Sequence, residues 1–321
     1  MAKSSRISVL FAGIIFVFII FFTLRMPGDT FFWHEFENSG HAPLFGILSL
    51  FILEIMLVSS PRPANRRWVY YLLAFFITIV FGAATEFIQK YTHGDPDFHD
   101  WIRDVAGAAA FLSLFALYDS KRIYEQSKIG PYRFIIIIMP ILIMLATFIP
   151  LAIVSEAYIQ RNHKFPTITD FDSHWDRIFL MLQDAQLVGV DPPPGWTDPP
   201  RGLVGMLTFM PGSYPGLVID EPYPDWTNRE KLYASIYSEY DTTITLALGI
   251  NDVHYDYTPE DQYYAEIKIA PGLNVITIPL AQVRRAPKLR QMDMKMITKV
   301  AVYVLNLQKP FTLFLGNFYL Q

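Results

Sequence analysis

Long apolar runs dominate the first half of the chain, whereas apolar and polar residues alternate along the second half. Before about residue 155, five runs have the length and low polarity of membrane-spanning helices, which need about 17 to 25 apolar residues. We place these spans at about 7–24, 42–59, 68–89, 100–118 and 134–154. Pro140 is expected to bend the fifth of them.

Beyond this region the pattern changes to a period of two, in short runs rich in β-branched and aromatic residues. Eight runs are predicted to be strands, at 203–209, 217–220, 232–237, 243–250, 263–269, 274–280, 297–305 and 311–320. Short strands at this spacing predict an antiparallel sandwich. We therefore expect a multidomain membrane protein, with an all-α transmembrane bundle of five helices over 1–155, a linker over 156–170 and an all-β antiparallel sandwich over 171–321.

The basic residues predict how the bundle is oriented. The amino-terminal tail and the loops after the second and fourth spans together hold nine Lys and Arg, whereas the two other loops hold only Arg25 and Lys90. Positively charged loops remain in the cytoplasm. The pattern thus predicts a multi-pass protein of a bacterial cytoplasmic membrane, with its amino terminus inside and the sandwich on the extracytoplasmic side.

Composition narrows the function. Residues 1–155 carry 12 basic and 11 acidic side chains, and residues 156–321 carry 14 and 19. The mildly acidic second half argues against a nucleic-acid partner. The absence of cysteine excludes disulfides and thiolate chemistry. The chain also has no Gly-x-Ser-x-Gly, His-Glu-x-x-His or phosphate-loop motif. The sequence therefore implies no cofactor and assigns no catalytic residue, although it leaves enzymatic activity open.

Polar residues gather around the turn between the third and fourth spans. Glu86 and Gln89 are three residues apart and share one helical face before the turn. Asp100 and Asp104 share a face after it. Carboxylates at the edge of a bilayer mark a function or a satisfied polar contact. We predict a membrane-hairpin pocket that consists of His41, Glu86, Gln89, Asp100 and Asp104.

Two interpretations of this pocket remain open. Glu86 and Asp100 can exchange protons or hold a divalent cation that in turn binds a lipid phosphate. Alternatively, Glu86 and Gln89 bond to Asp104 and Arg103 and lock the helices together, while Asp100 caps the fourth helix. A denser set at the turn lacks any fixed metal-binding spacing, so no metal site is predicted there; it comprises His93, Asp95, Asp97, His99 and Asp100.

The same residues carry a family resemblance. Glu86-x-x-Gln89, then Asp100-x-x-x-Asp104-x-x-Gly107, preceded by His41 at the start of an earlier helix, resembles the pattern of the VanZ-like membrane proteins over about residues 30–118. That family is named after a glycopeptide-resistance accessory protein. It usually has Asn at the position of Asp104, a Lys near Asn38 and an Arg in the turn. The resemblance implies a membrane bundle, and the loss of both cations weakens any anion site inferred from it.

A second resemblance concerns the β-rich half. Several phrases resemble galactose-binding-like, carbohydrate-binding jelly rolls over about 170–321; they are Tyr214-Pro-Gly-Leu-Val, Asp225-Trp226, Gly249–Asp252, Pro271–Leu280 and Leu315–Leu320. Sugar binding needs flat apolar faces together with polar groups for the hydroxyls. The candidate glycan-binding residues are Trp226, Asp252, His254, Tyr257 and Asp261. Alternatively, the aromatic residues belong to the core and the aspartates make turns.

These features lead to three hypotheses. In the first, an envelope protein binds a glycan or glycoconjugate through its sandwich and engages a membrane lipid or lipid-linked precursor through its bundle. In the second, the protein is an enzyme that acts on a lipid-linked glycan or a lipid phosphate, with Glu86 or Asp100 as general acid or base. In the third, the bundle is a structural anchor within an envelope protein complex.

Overall fold

A computed structural model describes residues 3–24, 26–60, 66–91, 97–123 and 133–321 of the chain. The chain divides into two compact units, Met1–Val154 and Ser155–Gln321. The first unit is helical and the second is formed mainly by β-strands.

The first unit is built from long apolar helices. In order they are α1 (Lys3–Thr23), α2 (Phe31–Ser59), α3 (Trp68–Gln89), α4 (Phe98–Ile123), α5 (Arg133–Thr147) and α6 (Ile149–Lys164). The first four, with α4 counted to Asp119, are long and apolar enough to cross a membrane. Ion pairs tie their basic ends together, between Arg6 and Glu54 at 2.8 Å and between Arg67 and Asp119 at 2.9 Å.

The predicted fifth span is not confirmed as a single helix. Helices α5 and α6 meet at a break at Phe148 and are bent by 44° relative to each other. Pro150 explains this position, because proline has no N–H with which to continue the helical ladder. Pro140, where the sequence predicted a bend, lies inside α5. Helix α6 continues to Lys164, so much of the segment expected to be a linker is helical.

Small residues let α2, α3 and α4 approach closely. A Cβ atom at Gly107 would lie 1.9 Å from the backbone oxygen of Ala42 on α2. A Cβ atom at Gly82 on α3 would lie 2.7 Å from Oδ2 of Asp104. Because these glycines have no side chain, the backbone of α2 and the carboxylate of Asp104 can occupy the space where a Cβ atom would lie. This is the arrangement that small residues favour between membrane helices.

The second unit is a sandwich of two antiparallel sheets, as predicted. Its strands are β1 (Thr167–Thr169), β2 (Leu180–Gln183), β3 (Ala185–Val190), β4 (Val204–Phe209), β5 (Gly216–Asp220), β6 (Lys231–Ser238), β7 (Ile244–Asp252), β8 (Tyr263–Ile269), β9 (Gly272–Pro279), β10 (Ile297–Tyr303) and β11 (Phe311–Leu320). The first sheet has the order β3-β4-β11-β6-β9, with β1 also paired to β11. The second sheet has the order β2-β5-β10-β7-β8.

Each of the eight strands expected from the sequence is present. The sequence did not predict β1, β2 and β3, nor a short helix, α7 (Leu280–Arg285), which follows β9. The core between the sheets is formed by the apolar residues that alternate along the strands, among them Leu207, Leu248, Val300 and Phe318. Alternation of this kind is expected where one face of each sheet is buried.

The last turns of α6 belong to the second unit and contact its strands. Arg161 Nη1 donates to the backbone oxygen of Glu221, which follows β5, at 2.8 Å. Lys164 Nζ pairs with Asp170 at 2.8 Å and with Asp176 at 3.2 Å. These contacts hold the start of the second unit against the sandwich.

Substitution of Gly107 by alanine is expected to destabilise the bundle. The new methyl group would overlap the Ala42 carbonyl, so α2 and α4 would have to separate, at a cost of about 1–3 kcal/mol or more. Thermal unfolding of the full chain in detergent should show a lower melting temperature. Gly40→Ala on α2 is the matched control, because no atom lies within 4 Å of a Cβ atom built there. Equal stability of the two variants would contradict the close contact.

Candidate functional site

One candidate site lies where the polar ends of α2, α3 and α4 meet. Asp104 has no exposed surface and His41 is only 5% exposed. His41 Nδ1 lies 3.0 Å from Asp104 Oδ1. An ionised carboxylate only accepts hydrogen bonds, so in this pair Nδ1 carries the proton and donates. In the neutral imidazole, His41 Nε2 then carries the lone pair, and it lies 3.6 Å from Asp100 Oδ2.

The structure reassigns the cap of α4. The backbone N–H of His99 donates to Asp97 Oδ1 at 2.9 Å, which is the hydrogen bond of an N-cap residue. This bond lowers the pKa of Asp97 below its usual range. Asp100 therefore does not act as the cap, as one interpretation of the sequence had suggested. It pairs instead with the guanidinium of Arg103.

Glu86 and Gln89 do not make the helix-locking bonds that the structural interpretation proposed. Glu86 Oε2 accepts from the backbone N–H of Asp97 at 3.0 Å. Among the described residues, Glu86 Oε1, Gln89 Oε1 and Asp104 Oδ2 are buried without a hydrogen-bond partner. Arg103 turns away from both and lies 3.6 Å from Glu35. The pocket thus retains unsatisfied acceptors.

The sequence places five potential metal ligands at or near the turn. Two of them, His93 and Asp95, lie outside the described residues. Of the others, His99 Nδ1 contacts Asp97 Oδ1 at 2.8 Å on the exposed side of the turn. Only Asp100 also lies in the buried cluster.

An apolar groove adjoins the cluster. It runs between α1 and α2 and reaches His41 and Gln89 at its polar end. The ring of Phe21 on α1 packs edge-on against His41, with ring centroids 5.1 Å apart. Its apolar walls include Ile20, Phe21, Leu24, Phe36 and Leu44.

The predicted glycan-binding residues of the second unit separate into two groups. Trp226 lies in the core with no exposed surface, and its Nε1 donates to the backbone oxygen of Tyr223 at 2.7 Å. It offers no face to a sugar, so we do not retain it as a contact. His254 and Tyr257 are exposed, Tyr257 to 87%, and its ring lies 5.2 Å from that of Tyr255.

Asp252 and Asp261 are both held by Arg290, which sequence reasoning missed. Two guanidinium nitrogens lie 2.5 and 2.7 Å from the Asp252 carboxylate, and Nε lies 2.6 Å from Asp261. Burial alone would raise the pKa of Asp252, but hydrogen bonds, chiefly from Arg290, lower it. The same side chain lowers the pKa of Asp261. These carboxylates therefore fasten two loops together.

A second candidate site that the sequence did not reveal lies on the outer face of the second sheet. Gly249 on β7 pairs with Tyr264 on β8 and with Ala301 on β10. Gly249 and Ala301 are small, so the face is depressed between larger neighbours. Tyr264 is 41% exposed on one side. Tyr303 lies beside Gly249, and its ring centroid is 6.2 Å from that of Tyr214, which is exposed.

Polar groups surround this depression, which we call the tyrosine trough and define as Tyr214, Gly249, Tyr264, Ala301 and Tyr303. Asn251 is the next outward residue of β7, and its buried Oδ1 has no hydrogen-bond partner among the described residues. Gln262 Oε1 would lie 3.6 Å from a Cβ atom at Gly249. The alternation of β7 and β8 contained this signal, because it places Gly249 and Tyr264 on the outward face, away from the core residues Leu248 and Tyr263.

Comparisons with known proteins found similarity in the fold of the second unit. No family model and no curated protein matches the chain, so the VanZ-like resemblance has no further support. Among solved structures, a family 11 carbohydrate-binding module from Clostridium thermocellum in complex with a beta-1,3-1,4-mixed-linked tetrasaccharide is 15% identical, with 48% of this chain and 93% of that chain covered and a TM-score of 0.36.

Two further structures are similar at the same level. An exo-beta-agarase is 17% identical, with 48% of this chain and 24% of the agarase chain covered and a TM-score of 0.39. A CBM35 from Paenibacillus barcinonensis is 11% identical, with 46% and 94% covered and a TM-score of 0.29. The aligned part spans about a quarter of the agarase chain. At these identities and scores, no ligand is transferred to this protein.

Replacement of Arg290 by alanine is expected to loosen one end of the sandwich. The Asp252 carboxylate has no exposed side-chain surface, and loss of its partner would leave a buried charge at a cost of about 3 kcal/mol. Hydrogen exchange of the full chain, measured on peptides from β7 and β10, should become faster. Lys288→Ala removes an exposed pair with Glu260 and should change stability by less than about 0.5 kcal/mol. Unchanged protection in the Arg290 variant would rule out a stabilising role for this pair.

Proposed function

We propose that this chain is an integral membrane protein of the bacterial cell envelope that binds a glycan or glycoconjugate through its β-sandwich. The observation that supports glycan binding best is the tyrosine trough. Its aromatic side chains line a shallow depression, and polar groups flank them. Aromatic faces stack on the apolar faces of sugar rings, and polar side chains form hydrogen bonds with their hydroxyls.

The other sheet is less suited to this role, because a loop covers part of its outer face. The ring of Trp196, from the proline-rich segment that follows β3, stacks on Tyr237 with centroids 5.6 Å apart. The same ring would lie 3.0 Å from a Cβ atom at Gly316. A ligand would have to displace this loop to reach the middle of that sheet. On the second sheet, the side chains nearest to the Cβ position of Gly249 are those of Gln262, Ala301 and Tyr303, at 3.6 to 3.8 Å.

A neutral glycan fits the charges of this unit best. Residues 156–321 carry five more acidic than basic side chains, 19 against 14, which disfavours polyanionic ligands. Two charged groups on the strands of this sheet already have partners. Glu266 accepts a hydrogen bond from Tyr264 at 3.3 Å, and Lys299 pairs with Asp220 at 3.2 Å. Recognition would therefore depend on stacking and hydroxyl contacts.

We further propose that the bundle engages a membrane lipid or a lipid-linked precursor. The groove between α1 and α2 supports this, since its apolar walls suit an acyl or prenyl chain and its polar end holds His41 and Gln89. The expected orientation places the amino terminus in the cytoplasm, because the ends of α1 to α4 that carry Arg6 and Arg67 form the basic side. The polar cluster would then face the extracytoplasmic side, and α5 and α6 counted together as a fifth span would place the sandwich there too.

The glycan proposal predicts that removal of either tyrosine ring from the trough weakens binding. Tyr264→Ala and Tyr303→Ala should each weaken binding about tenfold, since one stacking contact contributes about 1 kcal/mol or more. Isothermal titration of the full chain in nanodiscs against a panel of neutral and anionic polysaccharides provides the measurement. Tyr319→Ala, an exposed tyrosine on the other sheet, is the matched control.

A glycine substitution sharpens this test. A Cβ atom at Gly249 makes only ordinary contacts of 3.6 to 3.8 Å, so Gly249→Ala should fold while it places a methyl group in the depression. Loss of binding with unchanged melting temperature is expected. Full binding by this variant would exclude the trough as the glycan site, and absence of binding to every polysaccharide by the wild type would remove the proposal.

The lipid proposal predicts that blocking the groove prevents capture of a lipid. Gly40 lines the groove and has no atom within 4 Å of its Cβ position, so Gly40→Trp should place a ring in the groove without a clash. In nanodiscs that contain a photoreactive phospholipid, crosslinking to α1 and α2 peptides should fall several-fold. Leu72→Trp on the exposed surface of α3 should leave it unchanged. Equal crosslinking in both variants would contradict a lipid site in the groove.

A further inference from the structure

We propose that His41, Glu86 and Asp100 form a binding site for one divalent transition-metal ion, of which Zn²⁺ fits best. One imidazole nitrogen of His41 and one carboxylate oxygen from each acid lie within 4.8 Å of one another. The three residues come from α2, α3 and α4, so an ion would join three helices at one point. This inference does not depend on glycan or lipid binding.

The distances suit coordination better than direct hydrogen bonding. His41 Nε2 lies 3.6 Å from Asp100 Oδ2, which is too long for a hydrogen bond. Two donors on a tetrahedral Zn²⁺, each about 2.0–2.1 Å from the ion, lie about 3.3 Å apart. Glu86 Oε1 is buried and accepts no hydrogen bond from any described residue. Small side-chain adjustments bring all three donors onto one ion.

Asp104 prepares His41 to act as a ligand. Its carboxylate accepts a hydrogen bond from Nδ1–H, which in the neutral imidazole selects the tautomer with a free lone pair on Nε2. Metal-bound histidines characteristically donate their other N–H to a carboxylate or a carbonyl in this way. The histidine is 5% exposed and packs in parallel with the ring of Phe45, so its orientation is set before an ion arrives.

The charge balance points in the same direction. Four carboxylates meet in this cluster, those of Glu35, Glu86, Asp100 and Asp104, whereas Arg103 is the guanidinium that faces them among the described residues. With His41 neutral, as a metal ligand requires, their full ionisation leaves three uncompensated negative charges at the edge of an apolar bundle. Buried charges are stable only when they are paired or coordinate a metal. A divalent cation supplies the charge that is missing.

The donor set selects the type of ion. Imidazole nitrogen favours Zn²⁺ and other transition metals over Mg²⁺ and Ca²⁺, which prefer oxygen alone. The chain has no cysteine, so softer thiolate sites are excluded. A Zn²⁺ ion held by three protein ligands keeps a fourth position for water or for an anionic oxygen.

The test uses the purified full chain in nanodiscs, stripped of metal with a chelator and titrated with Zn²⁺ against a chromophoric competitor. Mass spectrometry of the washed protein should give one Zn²⁺ per chain. His41→Ala and Glu86→Gln should abolish stoichiometric binding. Asp104→Asn should weaken it by about 10- to 100-fold, as expected for a partner outside the coordination shell. Substitution with Co²⁺ should give a visible spectrum that Asp104→Asn alters.

Two matched variants control for adventitious sites. His99→Ala removes an exposed histidine of the same turn, and Glu54→Gln removes a carboxylate at the opposite end of the bundle. Both should bind Zn²⁺ like the wild type. The proposal is overturned if the folded wild type binds no stoichiometric ion, or if His99→Ala loses the ion while Glu86→Gln retains it. Should His41→Ala fail to fold, Glu86→Gln and Asp104→Asn decide the question.

Discussion

The interaction on which the bundle depends is the contact between the buried Asp104 carboxylate and the His41 imidazole. A carboxylate with no exposed surface inside an apolar bundle is costly unless a donor meets it. The donor comes from α2, and the space for the carboxylate comes from Gly82 on α3. Helices α2, α3 and α4 can therefore pack closely only in the register that brings these three residues together. One polar contact thus specifies how the apolar helices align.

The sandwich also contains a buried carboxylate, that of Asp252, but its partner is an arginine. Its core is apolar and alternating, and such a core specifies the strands but constrains the long loops weakly. Arg290 supplies that constraint, because its planar guanidinium reaches Asp252 and Asp261 at once. In both units, a buried carboxylate is stabilised by a partner that is distant in sequence. Each partner then places exposed or reactive groups at the end of its unit.

Features that depend on neighbouring residues could be predicted from the sequence, whereas features that depend on residues far apart in the chain could not. Apolar length and the period of two are local properties, so the sequence indicated four of the helices and eight of the strands. Strands β2 and β3 were missed because each is partly exposed at the edge of its sheet. The hairpin acids were recognised from their spacing along a helix. Arg290 was not, because it lies 29 and 38 residues from its partners and belongs to no motif. Trp226 was predicted to contact a glycan but lies in the core. An aromatic residue in a loop gives no sign of whether the loop folds inward.

The row of small residues on the second sheet has a consequence for ligand shape. Val218, Ala301, Gly249 and Tyr264 are paired in turn across β5, β10, β7 and β8, so the depression runs perpendicular to the strands. Four strands spaced by about 4.8 Å span roughly 14 Å. Met181 on β2, which pairs with Val218, and Tyr264 on β8 flank this row at the two edges of the sheet. Under the glycan proposal, a row that crosses the whole sheet would accommodate an internal stretch of a long polymer.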